Sequence, residues 1–189
     1  MVNENSKLNQ LMDVAQSLVQ TKGYNAMSYR DLASEVGIKT SSIHYYFPNK
    51  DDLGIALLQR YRSALKEAIK IIDSEIEDPY KKIERYIELF VDTAHAGKIC
   101  LGGMCATDSE TLSDAMRIEI KYFYTENEAW LTAICKQGKQ SGKFNFEGSA
   151  KIKAELIFAM LEGALISARL FNDEKRIVSA GAWIKEALS

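Results

Sequence analysis

Leu8, Leu11, Met12, Ala15, Leu18 and Val19 recur at spacings of three and four residues. The same rhythm returns at Leu53, Ala56, Leu57, Tyr61, Leu65, Ile69 and Ile72. That period puts apolar side chains on one face of an α-helix. No strictly alternating apolar run competes with it, and only 2 Pro interrupt 189 residues. The chain is therefore expected to be all-α.

Punctuation between the periodic runs sets about nine expected helices. The first spans roughly residues 4–22 and ends at Gly23, a residue suited to the left-handed helix terminus. Ser28 and Asp31 form a variant capping box that opens a short helix with Leu32, Ala33 and Val36 inward, closed by Gly37. In the next short helix Ile43, Tyr46 and Phe47 can pack inward, leaving Thr40, Ser41, His44 and Tyr45 facing away. Pro48 breaks it, and Asn49 with Asp52 caps a long helix. Asp78 and Pro79 start another. The segment "AGKICLGGMCA" reads as a Gly-containing corner. A long helix over about residues 112–138 and two final ones, near 150–171 and 174–188, complete the chain.

With 47% hydrophobic and 26% charged residues, the composition is that of a globular protein with a real core. No apolar run approaches the length of a bilayer span, and the N-terminus lacks a signal-peptide core, so a cytosolic location is expected. Three Cys do not make a disulfide framework. Residues 1–50 hold five Lys/Arg against four Asp/Glu, and the remainder 19 against 22. This slight contrast tolerates a DNA-contacting module on an acidic body without requiring one.

A helix, a tight Gly turn and a second short helix make the helix-turn-helix pattern, whose second helix lies in the major groove. Short hydroxyl, His and Tyr side chains suit base edges and phosphates. The pattern alone equally suits a plain two-helix corner of a bundle. Its detail goes further: "AMSYRDLASEVGIKTSSIHYYFPNKDDL" resembles the N-terminal domain of the TetR family of bacterial transcriptional repressors. The resemblance is carried by Gly23-Tyr24, by Ser28 through Gly37, and by "IHYYFPNKDDL", and it covers about residues 8–58. It implies DNA contacts from Lys39, Thr40, Ser41, Ser42, His44, Tyr45 and Lys50, with Ser28 and Tyr29 on phosphates. His44 stands where the family usually has Tyr. Lys39 replaces a common Ser, which is expected to move the helix cap to Thr40. Domains are expected at 1–50, for DNA, and 51–189, for inducer binding and dimerisation.

"AELIFAMLEGALISARLF" is apolar nearly all round, with Gly163, Ala164 and Ala168 permitting close helix approach. It points to a homodimer through the last two helices, the alternative being a buried core helix. An inducer pocket is expected among Phe90, Met104, Met116, Phe123, Trp130, Phe158 and Leu161, residues that equally suit plain core. The acids Glu119, Glu126 and Glu128 read as solvated. Cys100, near Lys98 and a possible helix start, and Cys105 are candidates for a thiol sensor, against the alternative of small core residues. No metal-spaced Cys/His cluster, phosphate loop or nucleophile elbow is present, so no cofactor and no enzymatic activity are expected. The resulting expectation is a repressor released from a palindromic operator by a small-molecule inducer or a thiol-reactive compound. A helical adaptor that binds protein through the Tyr-rich face is the alternative.

Overall fold

A computed structural model describes residues 4–189, with side chains from residue 6 onward. Nine α-helices occur among them: α1 (Glu4–Lys22), α2 (Tyr29–Val36), α3 (Thr40–Tyr46), α4 (Lys50–Glu75), α5 (Pro79–His95), α6 (Leu101–Thr107), α7 (Asp114–Gln140), α8 (Ala150–Phe171) and α9 (Lys175–Glu186). A single 3₁₀ turn, Ser109–Thr111, lies between α6 and α7. No strand is found among the described residues, so the all-α expectation holds. No described helix is long and apolar enough to cross a membrane.

The helices form two compact units. The first contains the residues through Ser63 together with Leu101–Lys121. Its core is the α1 stripe of Leu11, Ala15 and Val19, with Leu32 of α2, Ile43 of α3 and Leu53, Leu57 and Leu58 of α4, all essentially inaccessible to water. α1 packs on α2 and α6, and α2 packs on α3. Gly54 allows the closest approach here. A Cβ on it would lie 2.6 Å from Met116 Cε and 2.9 Å from Tyr24 Cε2.

The corner expected near residue 100 contains a helix. Gly102 and Gly103 are poor helix formers, which is why the sequence reads as a turn there. Both are buried in α6, where tertiary packing on α1 outweighs their weak propensity.

The second unit contains Ala64–Cys100 and Tyr122–Ser189. α5, α8 and α9 pack on one another around Ile83, Tyr86, Leu161, Leu165, Ile177 and Ile184. Gly181 lets α9 close on α5, since a Cβ there would fall 2.6 Å from Ile87 Cγ2. The α5 start matches expectation: Asp78 caps it by accepting from Tyr80 N at 2.8 Å, and Pro79 occupies the first turn. α8 spans the expected residues and ends at Asn172 in the left-handed conformation.

Candidate nucleic-acid interface

The short helices owe their positions to local chemistry. Ser28 Oγ accepts from Asp31 N at 3.2 Å, and Asp31 Oδ2 accepts from Ser28 N at 3.1 Å, which completes the expected capping box. The bonds from Ser28 hold the Asp31 carboxyl below the usual range. Gly37 closes α2 at φ 73°, ψ 37°, and its N–H donates to Ala33 O. A left-handed terminus of this kind is a position that glycine takes without a Cβ penalty.

α3 begins at Thr40, and its cap is Lys39, with no side-chain hydrogen bond. The cap therefore does not move to Thr40. Lys39 already has extended backbone, φ −78° and ψ 147°, and its carbonyl accepts from Ser42 N. An ammonium offers no acceptor, so the first-turn N–H groups keep no side-chain partner at the cap.

Ile43 is completely buried and anchors α3. Thr40, Ser41, His44 and Tyr45 are exposed together, Tyr45 by 74%, and Ser42 is half-buried. Lys7 of α1 borders the same groove as Ser41, Ser42 and Tyr45. Sequence reasoning missed Lys7 because nothing in the α1 pattern marks which polar residue lies beside α3.

Two tethers set the α3–α4 turn. The Tyr29 hydroxyl lies 3.0 Å from Phe47 O and 2.5 Å from Asn49 O, and having one proton it serves these carbonyls. Burial raises its pKa to about 12. Tyr29 thus braces the turn with its hydroxyl. His44 Nδ1 lies 3.1 Å from Pro48 O, and its ring meets Tyr29 edge-on at 4.9 Å. A carbonyl can only accept, so Nδ1 carries the proton and Nε2 is left for a partner outside the chain.

Lys50 opens α4 half-buried. Its ammonium lies 4.5 Å from the Tyr24 ring centroid and 3.4 Å from Asn25 O, and desolvation lowers its pKa. Asn25 in turn donates from its backbone N to Asp108 Oδ2 at 3.2 Å and from Nδ2 to Thr111 Oγ1 at 2.8 Å. Glu119, expected to be solvated, instead pairs with Arg62 and accepts from Gln59 Nε2.

The other expected site residues divide between the units. Met104 and Met116 sit in the first: a Cβ on Gly23 would lie 3.5 Å from Met104 Cε, and Met116 fills the space over Gly54. Phe90, Phe123, Trp130, Phe158 and Leu161 sit in the second. Ring centroids there lie 6.2 Å apart for Phe90–Phe158, 6.0 Å for Phe123–Phe158, and 5.0 Å for Tyr124–Phe158. Trp130 stands 5.1 Å from Tyr86 and donates from Nε1 to Asp73 Oδ2 at 3.0 Å. Cys100, Cys105 and Cys135 are all buried. Burial first, then Asp108, pushes the Cys105 thiol up to about 12, and burial pushes Cys135 to about 11. No group of three or more His, Cys, Asp or Glu able to hold a metal ion occurs among the described residues.

A capped α2, a left-handed Gly turn and an anchored α3 with its polar face outward make a helix-turn-helix, the unit that DNA-binding proteins set into the major groove. Residues 11–57 match the family model described as bacterial regulatory proteins, tetR family. A solved TetR-family regulator from Agrobacterium tumefaciens superposes with a TM-score of 0.95 at 29% identity, over 99% of this chain and 100% of that one. A TetR regulator from Legionella pneumophila gives 0.88 at 28%, over 100% and 99%. Along 185 residues the chain is 21% identical to the transcriptional repressor NemR of Escherichia coli K12, covering 95% of this chain and 92% of NemR. Residues 11–57 are thus a DNA-binding domain of the tetR family of bacterial regulatory proteins, and the chain is a DNA-binding transcription regulator.

Proposed function

We propose that the protein is a repressor that reads a palindromic operator as a homodimer through α3 and releases it when a small molecule occupies the C-terminal unit. The observation that carries the reading is the face of Thr40, Ser41, His44 and Tyr45, exposed over a fully buried Ile43. Lys7, Lys39 and Lys50 flank it and serve phosphates, with Ser28 at the α2 start.

A dimer is supported by α8 and α9. Ile152, Leu156, Ile166 and Leu170 on α8 and Val178 and Trp183 on α9 are exposed large apolar residues, and Gly163 has nothing within 4 Å of a Cβ position. On α8 the spacing of four, seven, three and four residues keeps Ile152, Leu156, Gly163, Ile166 and Leu170 on one stripe. A second copy covers it, since such a patch is too large and regular for scattered surface apolar residues.

Within the first unit, the α6 corner is tied to the turn that holds Lys50. α6 starts at the residue after Cys100, faces Gly23 with Met104, and leads into the Asp108 and Thr111 bonds to Asn25, which holds Lys50. A shift of this corner alters where Lys50 points. The raised thiols of Cys105 and Cys135 favour a noncovalent effector over thiolate chemistry at those two residues.

The test is a gel-shift with DNA upstream of the protein's own gene against a scrambled duplex of equal length. Salt-sensitive, sequence-specific retention is expected. Equal affinity for both duplexes contradicts the reading.

A further inference from the structure

One acid in the second unit has no protein partner to match its charge. Glu162 of α8 is 6% exposed, and neither Oε1 nor Oε2 has a hydrogen-bond partner of normal N–H or O–H geometry among the described residues. The Cys100 thiol is the neighbour that donates toward it, and a thiol is a weak donor. No Lys or Arg offsets the charge, and burial raises the carboxyl pKa to about 7. The two phenols nearby leave it unserved. Tyr86 commits its proton to Asn127 Oδ1 at 2.6 Å, and Tyr124 makes no hydrogen bond among the described residues. Both phenols are held well above their usual pKa, by burial first and then by the Glu162 charge.

The surroundings are aromatic. Phe158 lies one turn before Glu162 on the same face of α8, and its ring contacts Phe90, Phe123 and Tyr124. Tyr124 and Trp130 are only partly buried, so the α7 side of the cluster reaches solvent. An orphaned buried carboxylate is costly, and removing an ion from water is repaid only by an opposite charge with good hydrogen bonds. Carboxylate oxygens met by nothing stronger than a thiol call for N–H donors on a cation, and the ring faces suit a cationic ligand with an apolar body.

We propose that Glu162 anchors an effector site for a protonated amine or amidine carried on an aromatic or alkyl body. The ammonium or amidinium N–H groups donate to Oε1 and Oε2, and the body packs on Phe158 and Tyr124. This deepens the repressor reading and rests on it for the word effector. The site itself stands on the Glu162 cluster.

The experiment measures binding to the full-length protein by calorimetry without DNA. The probes are phenethylammonium and benzamidinium, each against its neutral counterpart, 2-phenylethanol and benzamide. Wild type is expected to prefer each cation by about tenfold or more, the worth of one hydrogen bond to a charged group. Glu162→Gln is expected to lose that preference while keeping the neutral compounds within about twofold. Tyr124→Phe keeps the ring and is expected to keep the preference. Equal binding of cation and neutral compound by wild type overturns the proposal, as does failure of both cations to bind, and neither comparison needs a variant. A preference retained in Glu162→Gln also overturns it. A separate titration adds DNA. Cation binding that depends on Glu162 but leaves DNA affinity unchanged supports the site and removes the effector reading. DNA release by neutral compounds alone, with no cation preference, does the reverse.

Discussion

His44 Nδ1 lies 3.1 Å from the carbonyl oxygen of Pro48, so the ring that faces outward from α3 is held by the turn that ends α3. The bond fixes which nitrogen carries the proton and leaves Nε2 of the neutral ring as an acceptor. A base amino group, on adenine N6 or cytosine N4, fits it in the major groove. His44→Ala should weaken binding to the specific site by about 1–3 kcal/mol and leave nonspecific binding nearly unchanged. Parallel titrations with the operator and a scrambled duplex separate the two. Equal losses on both would make His44 a phosphate or folding residue.

Lys50 is held by the Tyr24 ring and Asn25 O rather than free in solvent. In the proposed reading it serves a phosphate, a contact that carries charge without sequence. Lys50→Ala should lower affinity for every duplex and reduce the slope of log K against log salt by about one. An unchanged slope places Lys50 away from the phosphates.

Glu162 sets a pH dependence of stability. Its carboxyl titrates near 7 in the fold against an ordinary value of 4.5. A raised value means the unfolded chain ionises first, so the relative stability is full below 4.5 and is lost as pH rises through 7. The loss is about 3 kcal/mol at most. Glu162→Gln should therefore gain stability relative to wild type between pH 5 and pH 8, read by urea denaturation at each pH. Parallel pH profiles for the two proteins would show that the carboxylate has a partner after all.

The α8 stripe yields a sharper test of association than of folding. A Cβ at Gly163 meets nothing within 4 Å in its own chain. Gly163→Glu should leave the helical signal and thermal unfolding of the protomer intact. In a dimer the same change buries an unpaired charge and costs several kcal/mol. Sedimentation should show monomer for the variant under conditions where wild type is dimeric. A normal dimer would move the interface off this stripe.

Much of this was legible from residue chemistry close in sequence. The α1 stripe, the Ser28–Asp31 box, the Gly37 terminus and the Asp78–Pro79 start are local devices, and each stands where expected. α6 was hidden because Gly102 and Gly103 have low propensity and only packing makes them helical. Met104 and Met116 fall in the first unit and the other five expected pocket residues in the second, a division that apolar periodicity does not mark. Glu162 was the costliest omission. A lone acid in the apolar run "AMLEGALI" was the available signal, yet one charge on a helix that looks apolar all round is easily assigned to solvent. Only burial reveals it.

The central claim, that α3 reads DNA with its outer face, is tested most directly by site selection. Wild type and a variant carrying Thr40→Ala, His44→Ala and Tyr45→Ala are each used to enrich duplexes from a random pool at fixed salt. None of the three side chains is buried, and the Tyr29 hydroxyl still bonds across the α3–α4 turn, so the variant should keep the fold. Wild type is expected to enrich an inverted repeat, with half-sites about one helical turn or a multiple of it apart. The triple variant should bind DNA without enriching any sequence. Enrichment of the same inverted repeat by the variant would contradict the account, as would wild-type binding with no preferred sequence.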